Sequence, residues 1–219
     1  MAELRTEEEQ VEAIKNWWKE NGRSVLLAIA VAVAGVFGWQ AWEKRVEAQS
    51  TNASITYQEL LDAVMALRSA PEDEAQLTTA KHLAGVLQDD YESSGYAALG
   101  AMLMARVAVD SNDLDQAFAQ LDWVRQNAED AELKQLATLR SARIKLAQGD
   151  ADAADALLKQ ANGEHYQASY QELRGDVLVA QGQLDQARQA YEQALEGATP
   201  QMRPVIEMKR DDLAQGENS

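Results

Sequence analysis

One run of residues constrains this chain more than any other: the 19 positions from Ser24 to Trp42 carry no charge and are bounded by Arg23 and Glu43. As a helix they would cover roughly 28 Å at about 1.5 Å per residue, close to the ~30 Å hydrocarbon layer of a bilayer. Val25 to Trp39 contains no polar side chain. An amphipathic core helix would keep a polar stripe, and this segment has none on any face. Trp39 and Trp42 close it, where indole rings favour the membrane interface. The segment predicts a single transmembrane helix over residues 24–42, with Leu26, Ile29, Val33, Phe37, Trp39 and Trp42 as its anchoring side chains.

A cleaved secretory signal fits poorly. Such signals begin with a short basic region and end at small residues. Here a 23-residue arm with six carboxylates precedes the apolar run, and bulky tryptophans follow it. The run is expected to stay as an anchor. Arg5, Lys15, Lys19 and Arg23 precede it, whereas only Lys44 and Arg45 fall in the first 20 residues after Trp42. That imbalance favours a cytoplasmic amino terminus and places the remainder across the membrane, in the periplasm of a Gram-negative cell.

Residues 1–23 form a separate cytoplasmic arm. Thr6 and Glu9 make a capping box, Val11, Ile14, Trp17 and Trp18 share a helical face, and Asn21-Gly22 reads as a stop. A short helix lying on the membrane and a docking surface for a partner both fit. Within the anchor, Ala30, Ala34 and Gly38 recur every four residues, which permits close helix–helix approach.

Charge narrows the partners. Lys and Arg number 20 against 36 Asp and Glu, a net of −16. Residues 1–42 hold four basic and six acidic side chains, a net of −2, leaving −14 for the rest. Such a field repels phosphate backbones, so no nucleic-acid partner is expected. The chain has no cysteine, which excludes disulfides and thiolate chemistry.

Beyond Trp42 the pattern is helical, and Pro71, Pro200 and Pro204 all fall near plausible boundaries. Residues 43–96 read as connecting helices broken at Ser69–Asp73, with Tyr57, Leu60, Leu61, Val64, Met65 and Leu67 on one face, and form a degenerate first hairpin. Three stretches then match: NDLDQAFAQL from Asn112, GDADAADALL from Gly149 and GQLDQARQAY from Gly182. They align Ala117, Ala154 and Ala187, then Leu121, Leu158 and Tyr191, then Val124, Ala161 and Ala194. Twelve residues before each aligned alanine stand Ala105, Ala142 and Gly175, and the periods are 37 and 33 residues. Small residues on consecutive helices let them cross as a hairpin, with Asn112, Gly149 or Gly182 turning the chain. The apolar positions that follow pack on the next hairpin.

A period near 34 with this spacing resembles the tetratricopeptide repeat. The aromatic of its first helix is replaced by Ala101, Thr138 and Gln171, and its closing proline is matched only by Pro200. The expected fold is all-α: one transmembrane helix, then a tetratricopeptide-like helix-hairpin solenoid over residues 97–215. Its helix pairs fall near 97–126, 131–161 and 166–196, and a closing helix runs from Met202 to Gln215.

No constellation for catalysis stands out. His82 and His165 lack metal-ligand spacing, and no phosphate-binding loop or nucleophile elbow occurs. Asp89-Asp90 and Asp211-Asp212 read as solvated helix ends. No enzyme, metal or cofactor is expected. Helix-pair arrays present a concave surface built from the first helix of each pair, here offering Met102, Arg106, Leu136, Leu139 and Arg143 to an extended polypeptide. Leucines placed as Leu136 and Leu139 are more often core between repeats.

The acidic start EEEQVEAIKNWWKENG, the anchor ending GWQAW and the acidic repeat domain together resemble the YfgM family, ancillary subunits of the bacterial SecYEG translocon. The resemblance spans essentially the whole chain and is most specific over residues 7–42. It implies a single-pass inner-membrane protein with a periplasmic carboxy-terminal domain. It also implies association with SecYEG and with PpiD, a membrane-anchored periplasmic folding factor, and a link to the response regulator RcsB. The implied role is non-enzymatic: an adaptor that passes exported proteins to periplasmic chaperones. A holdase that binds unfolded exported chains directly, a generic anchored scaffold, and a cytoplasmic adaptor of reversed orientation remain open alternatives.

Overall fold

In the computed structural model, residues 7–161 and 166–216 are described, and among them every regular element is an α-helix. They are α1 (Glu7–Ser69), α2 (Glu74–Asp90), α3 (Gly95–Asp110), α4 (Leu114–Asn127), α5 (Ala131–Ala147), α6 (Ala151–Gln160), α7 (Gln167–Ala180), α8 (Leu184–Gly197) and α9 (Arg203–Gly216). The chain divides into two compact units, Met1–Thr51 and Asn52–Ser219.

The first unit is the amino-terminal part of α1. The expected capping box begins at Thr6, outside the described residues. The expected stop at Asn21-Gly22 is not used, because α1 continues through both. Asn21 donates its side-chain amide to the Trp17 carbonyl at 3.1 Å, and the Trp18 indole lies over Gly22, so the weak helix formers are held from the preceding turn. Every residue from Leu26 to Trp42 is exposed. This helix is long and apolar enough to cross a membrane. Trp39 and Trp42 stand at its far end with ring centroids 5.3 Å apart.

The second unit is a stack of hairpins. Residues 52–69 of α1 and helix α2 form the first, broken at Ala70–Asp73, and Asp73 caps α2 by accepting from the Ala75 and Gln76 amides. Leu60, Val64, Leu67, Ala80, Ala84 and Leu87 bury one side of this pair against Ala97 and Met104 of α3. Helices α3/α4, α5/α6 and α7/α8 are the three repeats seen in the sequence, and α9 ends the array.

Each repeat turns in the same way. Asn112, Gly149 and Gly182 take left-handed backbone angles, φ 58°, 84° and 76°. The amide that follows each reaches back to the carbonyl five residues earlier: Asp113 to Ala108, Asp150 to Lys145 and Gln183 to Leu178, at 2.8–2.9 Å. Asp113 and Asp150 then cap α4 and α6 by accepting from the Gln116 and Ala153 amides, whereas Gln183 makes no such bond to α8.

The aligned small residues are all buried: Ala105 shares a cluster with Ala117 and Ala142 with Ala154, while Gly175 lies against the Tyr191 ring. The positions beyond reach forward, as the spacing predicts. Leu121 and Val124 share a cluster with Ala137 and Ile144 of α5. Leu158 and Ala161 meet Leu173 and Val177 of α7, and Tyr191 and Ala194 meet Ile206 of α9. Helix α9 therefore occupies the place of the next first helix, and Arg203 at its start donates to the Leu195 carbonyl at 3.0 Å.

Candidate protein-binding site

The first helices of the pairs, α3, α5 and α7, set their residues in register at the repeat spacing. Arg106, Arg143 and Asp176 occupy one equivalent position, and Lys209 of α9 continues it. These four side chains give the face its electrostatic character.

Lys209 is the most tightly held. Its ammonium donates to Glu172 Oε1 and Asp176 Oδ2, both at 2.8 Å. Partial burial pulls its pKa down, but hydrogen bonds and charge from the two carboxylates outweigh this and raise it overall. The Tyr191 hydroxyl donates to the other oxygen of Asp176 at 2.8 Å, and burial followed by this carboxylate pushes the phenol pKa up. Arg143 reaches the other oxygen of Glu172 at 3.4 Å, a looser contact. The Arg106 Nε–H is shared between the two carboxylate oxygens of Asp110 on its own helix, at 2.8 and 2.9 Å, and that pair is open to solvent.

Five residues were expected on this face, and the structure separates them. Arg106 and Arg143 are exposed on it. Leu136 is half-buried against the α3–α5 cluster. Met102 and Leu139 are instead core residues, 7% and 6% exposed, because their side chains fall between helices: Met102 among Ala98, Ala105 and Ala117, Leu139 among Ala142, Leu158 and Leu173. Sequence reasoning missed the Glu172–Lys209–Asp176–Tyr191 network and the exposed Arg140. The 33-residue step from Asp176 to Lys209 was the available signal for the network.

Among the described residues no cluster of three or more His, Cys, Asp or Glu could hold a metal. His82 is exposed, and His165 lies outside the described residues.

The Tetratricopeptide repeat-like domain family matches residues 15–215. Among curated proteins, the ancillary SecYEG translocon subunit of Escherichia coli (strain K12) is 30% identical over 209 residues, 95% of this chain and 97% of that one. Those of Haemophilus influenzae and Neisseria gonorrhoeae are 27% and 28% identical over 213 and 215 residues, 97% of this chain and the whole of each relative. No solved structure matches. With hairpins, turns and near full-length likeness in agreement, the chain belongs to the family of ancillary SecYEG translocon subunits, built on the tetratricopeptide repeat-like domain.

Proposed function

We propose that this protein is a non-enzymatic adaptor anchored beside the SecYEG translocon, where its repeat domain helps pass exported proteins to periplasmic chaperones. The observation that carries the reading is the joining of two parts in one chain: an apolar helix with no protein covering, and a helix-hairpin stack with an open face of polar side chains. The near full-length relatives named as translocon subunits support the site of action. Four basic residues before the span against two after it support a cytoplasmic amino terminus and a periplasmic repeat domain. On this reading residues 1–23 form the cytoplasmic arm, 24–42 the anchor, 43–96 the connection and 97–215 the working domain. Anchoring raises the effective concentration of the domain at the channel exit. PpiD and RcsB enter as partners through the family resemblance, and the face carrying Arg106, Leu136 and Arg143 is the proposed protein contact.

The test is crosslinking in intact cells, purification in mild detergent and identification of what is recovered, with the native chain and with an unrelated span replacing residues 24–42. Recovery of SecYEG and PpiD with both places binding in the repeat domain. Loss with the exchanged span makes the anchor the adhesive part and favours a groove left open for unfolded clients, the holdase reading. Absence of SecYEG from the native sample overturns the adaptor role.

A further inference from the structure

The cations of the open face are not equally satisfied. At the α9 end, Lys209 has two carboxylates at 2.8 Å. At the α3 end, Arg106 has Asp110. Between them Arg143 shares Glu172 with Lys209 and holds it only at 3.4 Å. One turn before Arg143 on the same helix, Arg140 is exposed and, among the described residues, makes no ion pair or hydrogen bond. Partial burial of its guanidinium, then the charge of Arg143, lowers its pKa; Tyr166 opposes this and Arg106 adds to it. Arg140 and Arg143 therefore stand one turn apart on α5, and among the described residues Arg140 has no ion-pair or hydrogen-bond partner, in a chain of net charge −16.

We propose that Arg140, with Arg143 one turn on and Arg106 at the position of α3 equivalent to Arg143, receives the carboxylates of an acidic polypeptide segment laid across the α3/α5 face. This deepens the adaptor reading, on which it rests, by naming the chemistry of the partner. A guanidinium presents a planar fork of donors that matches a carboxylate in two parallel bonds. Arg143 is free to turn toward an incoming carboxylate because Glu172 keeps Lys209 as its closer partner. Arg106 can exchange Asp110 at little cost, since a solvent-exposed pair contributes little. The overall negative charge repels acidic chains from the rest of the surface, so such a chain is held only where it meets these arginines.

The experiment uses the full chain in mild detergent and a short fluorescein-labelled peptide of alternating glutamate and serine, read by anisotropy. The native chain is expected to bind it, Arg140→Gln to bind it about tenfold more weakly, and Arg140→Glu not at all. Arg174→Gln, which removes an exposed arginine from α7, is expected to bind as the native chain does. Equal binding by the native chain and Arg140→Gln, or no binding by either, overturns the proposal. Displacement of the peptide by glycerol phosphate at lower concentration than by free glutamate also overturns it, assigning the arginines to a lipid headgroup. Crosslinked recovery of SecYEG from cells carrying Arg140→Gln is followed alongside. Peptide binding that fails while SecYEG is recovered sinks the arginine site alone, and absence of SecYEG from native cells sinks the adaptor reading alone.

Discussion

The phenol ring of Tyr191 occupies the space that a side chain at residue 175 would need: a Cβ built on Gly175 falls on the ring, 2.8 Å from Cζ and closer still to Cδ1 and Cε1. In the two preceding repeats the same pair of positions is Ala105 with Leu121 and Ala142 with Leu158, so the last repeat has traded a methyl on one helix for an aromatic on the next. The exchange also carries the Tyr191 hydroxyl to Asp176.

Gly175→Ala should therefore destabilise the domain by about 2 kcal/mol, the usual cost of forcing an extra methyl into a packed core. Tyr191→Leu alone should also destabilise. The two together restore the Ala/Leu pair of the earlier repeats, so the double variant should lie closer to native than the sum of the singles. Urea midpoints of the four proteins measure this, and simple additivity would refute the coupling.

Lys209 holds α9 to α7 through charge, and its contribution depends on pH. Its folded pKa is raised, so the stabilisation is complete below the ordinary lysine value of 10.5 and is lost as pH rises through the higher folded value. Tyr191, also raised, acts in the same direction above its ordinary value of 10.0. The urea midpoint should fall more steeply above these values in the native chain than in the double variant Lys209→Met/Tyr191→Phe. Parallel pH profiles for the two proteins would refute the linkage.

The three hairpin turns differ in what they tolerate. Gly149→Ala and Gly182→Ala place a Cβ on a left-handed backbone and should each cost about 1 kcal/mol. Asn112→Gly relieves the same strain at φ 58° and should change stability by only a few tenths of a kcal/mol. Thermal melting points should rank the variants in that order.

Helix α8 lacks the cap that α4 and α6 possess. Gln183→Asp copies Asp113 and Asp150 and should stabilise by about 1 kcal/mol, while Asp150→Ala should lose a similar amount. If Gln183→Asp leaves the urea midpoint unmoved, the turns are less alike than their hydrogen bonds indicate.

An arginine in the middle of the anchor should impair insertion. Val33→Arg costs about 3 kcal/mol at the centre of a spanning helix. More of that variant than of the native chain should be released from membranes by alkaline carbonate.

The repeats were legible because their crossings are set by residue size. A small residue recurring at fixed offsets has few other uses, and Asn112, Gly149 and Gly182 mark turns that need a left-handed backbone. The apolar run was legible as a candidate membrane span because no charge or polar stripe interrupts it over the length of a bilayer. The arm was misread at Asn21-Gly22, where local propensity lost to the neighbouring turn: Trp17 accepts from Asn21 and Trp18 shields Gly22. Met102 and Leu139 were placed on the open face because repeat register tells which helix a residue belongs to more reliably than which side it points to. Arg140 went unnoticed because nothing in the sequence shows that its neighbours find partners and that, among the described residues, it does not.

Helix α9 continues the register of α7, with Lys209 standing 33 residues after Asp176. The array thus has a splicing rule of its own. An excision of 33 residues from within α7 to within α9 would join two half-helices in phase and leave a shorter array still closed by its own terminus. Between α7 and α9, deletions one or two residues longer or shorter would turn the apolar stripe away from the stack. Growth and loss of whole units are therefore the length changes this architecture absorbs, whereas its substitutions must be compensated pair by pair.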